Sequence, residues 1–133
     1  MYWALEINEK TQDRILTILR NFVDFDKMNA ENWLLYCDHI TLIHSKSVKA
    51  DVWEAVNKIL KNFEGCLVNF QITHLAEGNY ALALGVSVST MNTHSHITIA
   101  CAPGHRPVES NELEKWTPVI CMETFSGILK LKD

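Results

Sequence analysis

No apolar run in this 133-residue chain approaches the roughly 18 consecutive residues of a membrane-crossing helix, so the sequence predicts none. Its first residues, Met1-Tyr2-Trp3-Ala4-Leu5-Glu6, lack the basic stretch followed by an apolar one that marks a secretory leader. No repeat, low-complexity tract or linker interrupts the chain, and no C-x-x-C pair, H-E-x-x-H or Cys/His ladder supplies a metal-ligand spacing. A basic excess is missing too: 12 Lys and Arg stand against 16 Asp and Glu, a formal charge of -4. That balance excludes a protein that coats nucleic acid along its length, while a site for one or two phosphates needs only a few local donors. The four cysteines, Cys37, Cys66, Cys101 and Cys121, are far apart and read as buried reduced thiols. With the missing leader, they point to a cytoplasmic protein.

What is present is ordinary globular material. Hydrophobic residues make up 47% and charged ones 21%, which suits a single domain over residues 1–133. Tyr2 to Ile7 alternates as a strand with Trp3, Leu5 and Ile7 on one face. Asn8 caps a helix whose Ile15, Ile18, Leu19, Phe22 and Val23 recur at helical spacing to about Phe25. Asp24 to Asn32 reads as a polar loop, and Trp33 to Ile43 as a strand. Ser47 caps a second helix, with Val48, Val52, Val56, Ile59 and Phe63 as its apolar stripe and Gly65 as its end. Two alternating strands follow, Cys66 to Leu75 and Tyr80 to Val88, joined by a turn at Glu77-Gly78-Asn79. Beyond the polar loop Thr90 to Thr93 come a strand from His96 to Cys101, a helical turn at Asn111 to Lys115, and closing strand material from Val119 to Lys132. This order predicts an α+β fold, two main helices packed on a mainly antiparallel sheet.

The chemistry lies in a doubled motif. His39-Ile40-Thr41-Leu42 and His96-Ile97-Thr98-Ile99 share the pattern His-apolar-Thr-apolar. On a strand, residues two apart face the same way, so each His points with its Thr while Ile40, Leu42, Ile97 and Ile99 enter the core. One such tetrad is ordinarily a half-exposed strand face with Thr present for its β propensity. Two copies with the same core-facing pair point to a shared site. Imidazoles titrate near neutrality, so His39 and His96 facing each other across a cleft can divide the work of base and acid. The hydroxyls of Thr41 and Thr98 can donate to the non-bridging oxygens of a phosphodiester held between them, and no metal or other cofactor is required.

These paired tetrads resemble the two-histidine (2H) phosphoesterases. The contexts His39-Ile40-Thr41-Leu42-Ile43-His44 and His96-Ile97-Thr98-Ile99-Ala100-Cys101-Ala102-Pro103-Gly104 are most similar to the cyclic-phosphodiesterase domains of fungal-type tRNA ligases. The resemblance implies a bilobal α+β fold, with antiparallel sheets around a central cleft, and a role in RNA processing. It also implies hydrolysis of a 2′,3′-cyclic phosphate on an RNA end or small nucleotide, leaving a 2′-phosphate. No ligase or kinase module accompanies the motifs, so the chain is a stand-alone domain or a piece of a longer protein.

Around the motifs, His94, Arg106, His44, Lys46 and Tyr36 are candidate substrate contacts. His94 shares the parity of His96, whereas strict alternation turns His44 away from His39. Arg106, beside His105, lies in the Pro/Gly-rich loop after the second motif. Trp33, Tyr36 and Trp116 are candidate base-stacking platforms, and Trp3 and Trp53 read as core. Two other readings compete within nucleotide chemistry: hydrolysis of a cyclic or 2′-5′-linked oligonucleotide signal, and non-catalytic binding of an RNA end or nucleotide. A zinc site from His39, His94 and His96 is a third, without a ligand spacing to support it.

Overall fold

A computed structural model describes residues 1–133. The strands are β1 (Tyr2–Glu6), β2 (Leu34–Leu35), β3 (His39–His44), β4 (Leu67–Glu77), β5 (Ala81–Val86), β6 (His96–Cys101), β7 (Thr117–Pro118) and β8 (Thr124–Lys132). The α-helices are α1 (Glu9–Leu19), α2 (Phe25–Ala30) and α3 (Ala50–Leu60), and short 3-10 turns cover Ser45–Ser47, Lys61–Phe63 and Pro107–Glu112. Every strand pairing is antiparallel, as the α+β reading requires. Six strands join in the order β6-β3-β1-β8-β4-β5 and return to β6, so the sheet closes on itself. β2 lies beside β6 and β7 beside β4.

A continuous apolar core fills this arrangement. Trp3 and Leu5 of β1, Ile40 of β3, Phe70 of β4, Leu84 of β5 and Ile97 of β6 are all buried in it, as are Ile15 and Leu19 of α1. Each such side chain contributes on the order of 1.5–3 kcal/mol through removal from water. The Asn8 side chain caps α1 by accepting from the Thr11 amide at 2.8 Å. That helix stops at Leu19, earlier than the periodicity suggests: the amides of Phe22 and Val23 both turn back to the Leu19 carbonyl, and Phe22 is left exposed. The expected loop from Asp24 to Asn32 instead contains α2. Asp24 accepts from the Lys27 amide at 3.1 Å, and Phe25 and Met28, three residues apart, pack on the core.

α3 also differs from its sequence reading. Ser47 sits in the preceding 3-10 turn, and Lys49, at the cap position, makes no side-chain cap bond. The face turned to the sheet carries Trp53, Val56 and Leu60, while Val52, Ile59 and Phe63 of the expected stripe are exposed. Beside that face, the Trp3 indole N–H donates to Asn57 Oδ1 at 2.9 Å. Of the cysteines, Cys37 and Cys101 are buried, Cys121 is half-buried and Cys66 is exposed, so the expectation of four buried thiols fails at Cys66 and Cys121. Burial pushes the Cys37 thiol up to about 12, which leaves it protonated and inert. No helix is long and apolar enough to cross a membrane.

Two irregularities in the segment from Trp33 to His44 set up the site. First, the single strand expected there is broken. Leu34 pairs with Cys101 and Leu35 with Ala100, and the amides of Tyr36 and Cys37 continue along β6 to the carbonyls of Ile99 and Thr98. Cys37 then adopts a left-handed backbone (φ 54°), and the next pairing is Ile40 with Ile97, two residues out of register. Second, β3 pairs with β1 as Tyr2 with His44 and Trp3 with Ile43, then Ala4 with Thr41, so Leu42 is an extra residue in β3. Such a bulge reverses side-chain parity beyond it. Ile40 and Ile97 form the only paired position between β3 and β6, so trimming one of them loosens the seam that carries both motifs. Ile97→Val is expected to lower unfolding free energy by about 1 kcal/mol in urea titration.

Candidate active site

The pairing of Ile40 with Ile97 is antiparallel, which sets the first motif head-to-tail against the second. His39 therefore lies toward Thr98 and Thr41 toward His96, related by a local two-fold at the isoleucine pair. Both isoleucines are fully buried, so the alternate residues on both strands turn to the other side. All four line one cleft of about 280 Å3. Tyr2, His44, Ser47, Asn92, Pro107, Val108 and Asn111 complete its walls, with no Lys, Arg, Asp or Glu among them. A larger depression of about 480 Å3 beside residues 20–26 holds no histidine.

The two arms of this clamp are built differently. His39 Nδ1 lies 2.7 Å from Asp38 Oδ1, and a carboxylate only accepts, so Nδ1 carries the proton. That hydrogen bond holds the Asp38 carboxyl below its ordinary value, against the opposing effect of partial burial. In the neutral ring Nε2 is then the acceptor, the arrangement of an Asp-oriented general base. Neither His39 Nε2 nor the Thr41 hydroxyl is engaged by another protein group, so this arm is open.

The second arm is buried and occupied. His96 is 8% exposed, with Nδ1 donating to the His94 carbonyl at 2.7 Å and Nε2 lying 2.9 Å from Ser110 Oγ. Ser110, wholly buried, also approaches Thr98 Oγ1 at 2.7 Å and the Pro107 carbonyl at 2.6 Å. Three contacts converge on one hydroxyl oxygen. The Pro107 carbonyl only accepts, from Ser110 at 2.6 Å and from Thr98 at 3.4 Å, so the direction of the other two contacts follows the state of the His96 ring. A neutral His96 takes the Ser110 proton at Nε2 while Thr98 turns to the Pro107 carbonyl, and a charged His96 donates to Ser110 instead. Burial holds the His96 imidazole below its ordinary value, helped by the charges of His39 and His94 and opposed by the bond to the His94 carbonyl. Ser110 occupies this corner in either state of the ring. Its oxygen sits where a His-Thr pair would grip an oxygen of a bound group.

Ser110 was absent from the residues that the sequence singled out. The helical turn expected at Asn111 to Lys115 begins earlier, at Pro107, with the Arg106 amide donating to the Glu109 carboxylate at 2.6 Å. Proline at the first position followed by Glu109 was the available signal. His105 anchors the same turn, stacked on Tyr80 with ring centres 4.1 Å apart and paired with Glu109 at 3.1 Å, away from the cleft.

The remaining sequence candidates divide. His44 does line the cleft, because the Leu42 bulge turns it to the side of His39. It stacks on Tyr2, its neighbour across the strand pair, with ring centres 5.6 Å apart. Its Nδ1 accepts from the Lys46 amide at 3.1 Å, so the neutral ring presents an Nε2–H donor. Partial burial and the nearby amino terminus and Lys46 keep this ring below its ordinary value. His94 is exposed and lies in an adjoining cavity, stacked on Trp116. The other three do not reach the cleft: Lys46 contributes its backbone to the His44 turn, Arg106 is exposed outside the lining, and Tyr36 runs along β6 before the Cys37 kink. Trp33 packs against the core. No three His, Cys, Asp or Glu side chains converge as metal ligands, so the zinc reading of His39, His94 and His96 finds no geometry.

No protein-family model matches the chain, and no curated protein matches it.

The lowered values at His96 and His44 carry a pH consequence. Below the ordinary histidine range the unfolded chain takes up protons that the folded chain resists, so stability falls as pH drops from about 7 toward 5. Glu6, Asp38, Glu109 and Glu123, held low by their hydrogen bonds, add their losses only at lower pH, in the carboxylate range. Urea titrations at pH 7.5 and 5.5 are expected to show this loss in the parent protein and a smaller one in His96→Gln. Ser110→Ala strips the network of its centre and is expected to cost about 1–3 kcal/mol in the same assay at pH 7.5.

Proposed function

We propose that this protein is a metal-independent phosphodiesterase of the two-histidine type. It hydrolyses 2′,3′-cyclic phosphates on RNA ends or small nucleotides to 2′-phosphates. The observation that carries the reading is the meeting of both His-x-Thr motifs in one cleft, with His39, Thr41, His96 and Thr98 all in its lining. Water attacks phosphorus as the bond from phosphorus to the 3′ oxygen breaks. One of His39 and His96 takes the proton from the water, and the other delivers one to the departing oxygen. Thr41 and Thr98 hold the non-bridging oxygens, whose charge grows during the reaction. His44, through Nε2–H, is a further neutral donor.

A cleft lined by imidazoles and uncharged donors, without Lys or Arg, suits the single charge of a diester better than the double charge of a monoester. The bilobal architecture of that family is part of the same reading. Its support here is the seam between β3 and β6, one paired position wide, with the cleft lying over it. Four free thiols agree with a reducing, cytoplasmic setting.

The test is turnover of nucleoside 2′,3′-cyclic phosphates by EDTA-treated protein, with products resolved as 2′- or 3′-phosphates. Exclusive 2′-phosphate is expected, with kcat/KM falling about 10²–10⁴-fold in His39→Ala and in His96→Ala. Thr41→Ala and Thr98→Ala are expected to lose less than the histidine variants. Binding of the cyclic nucleotide without product would move the assignment to a non-catalytic module.

A further inference from the structure

The clamp cleft continues past His96 into a second cavity of about 170 Å3, the two sharing Asn92, His96 and Asn111. Met91, Thr93, His94 and Trp116 complete it, and again no Lys, Arg, Asp or Glu lines the wall. The aromatic part is fixed in place. Trp116 donates its indole N–H to the Leu113 carbonyl at 2.9 Å, and the His94 ring lies over it at 4.8 Å between centres and 27° between planes. The cavity on the opposite flank, beyond His39, has another character: Glu6, Asp38 and Lys132 line it, with Glu6 and Lys132 ion-paired. The two ends of the cleft thus differ, one charged, the other uncharged and aromatic with two carboxamides.

A flat, neutral, hydrogen-bonding ring joined to a phosphate fits only the second end. We propose that the cavity between Met91 and Trp116 seats the nucleobase of the nucleotide whose phosphate occupies the clamp. This rests on the function proposed above. The base stacks on the His94–Trp116 pair, and the carboxamides of Asn92 and Asn111 are within the same walls to meet its polar edge. The seat is tied to the reacting end through the backbone, because the His94 carbonyl is the group that orients His96 Nδ1. A base pressed onto His94 therefore steadies the imidazole at the phosphate, and Trp116 acts as a binding and positioning residue.

The test uses the full chain, 15N-labelled, with adenosine 2′-monophosphate and inorganic phosphate as probes at about pH 5.5, where both are mainly singly charged like the diester. The Trp116 indole signal is assigned through Trp116→Phe. The nucleotide is expected to shift the Trp116 indole N–H together with the His39 and His96 imidazole signals, and inorganic phosphate the imidazoles alone. Trp116→Ala is expected to weaken the nucleotide on the order of tenfold, with phosphate affinity unchanged, and Trp116→Phe to retain most of it. A nucleotide that moves the imidazoles but not the Trp116 signal overturns the base seat and leaves the phosphodiesterase reading standing. Equal weakening of both probes in Trp116→Ala, or none, also overturns it. If neither probe moves His39 or His96, both proposals fall together.

Discussion

One backbone pairing, Ile40 against Ile97, governs the rest of the site. It is antiparallel and pins two copies of the same tetrad at their second residue, so each His comes to lie toward the other copy's Thr. Burial of both isoleucines fixes which side of the strands the four polar groups take. A slip of one residue in either strand would send the imidazoles into the core and the isoleucines into the cleft, a change that the apolar packing forbids. The hydrophobic core thereby sets the site's geometry.

The local two-fold is broken by what stands behind each motif. Asp38 backs His39 with a carboxylate near solvent, whereas the His94 carbonyl and a wholly buried Ser110 back His96. Opposite environments for two chemically identical groups are the usual way to separate an acid from a base. On the buried side, burial favours a neutral ring while the bond to the His94 carbonyl favours a charged one. Both arms share a cleft with no Lys, Arg, Asp or Glu in its lining, in a chain of net charge -4.

Much of this was legible in the sequence, and the illegible parts have identifiable causes. β1, the hairpin from β4 to β5, and β6 follow from two-residue alternation and a turn tripeptide, and the motif residues were readable because alternation holds on either side of Ile40 and Ile97. The kink at Cys37 and the extra residue at Leu42 were not, since a bulge is chosen by the partner strand and leaves no periodic trace. The error at His44 comes directly from that. Ser47 and Phe63 misled because they lie in separate 3-10 turns before and after α3, so the stripe read from Val48 to Phe63 runs over more than one element. Ser110 lay hidden because its importance comes from three partners that only the fold assembles.

The most direct test of the central claim, that His39 and His96 act as an acid-base pair on one phosphate, is the pH dependence of kcat/KM for a nucleoside 2′,3′-cyclic phosphate. The parent protein should give a bell with one limb from each imidazole, and His39→Ala and His96→Ala should each retain a residual rate that has lost a different limb. A parent profile with a single limb, or a bell that survives intact in either variant, would contradict the account.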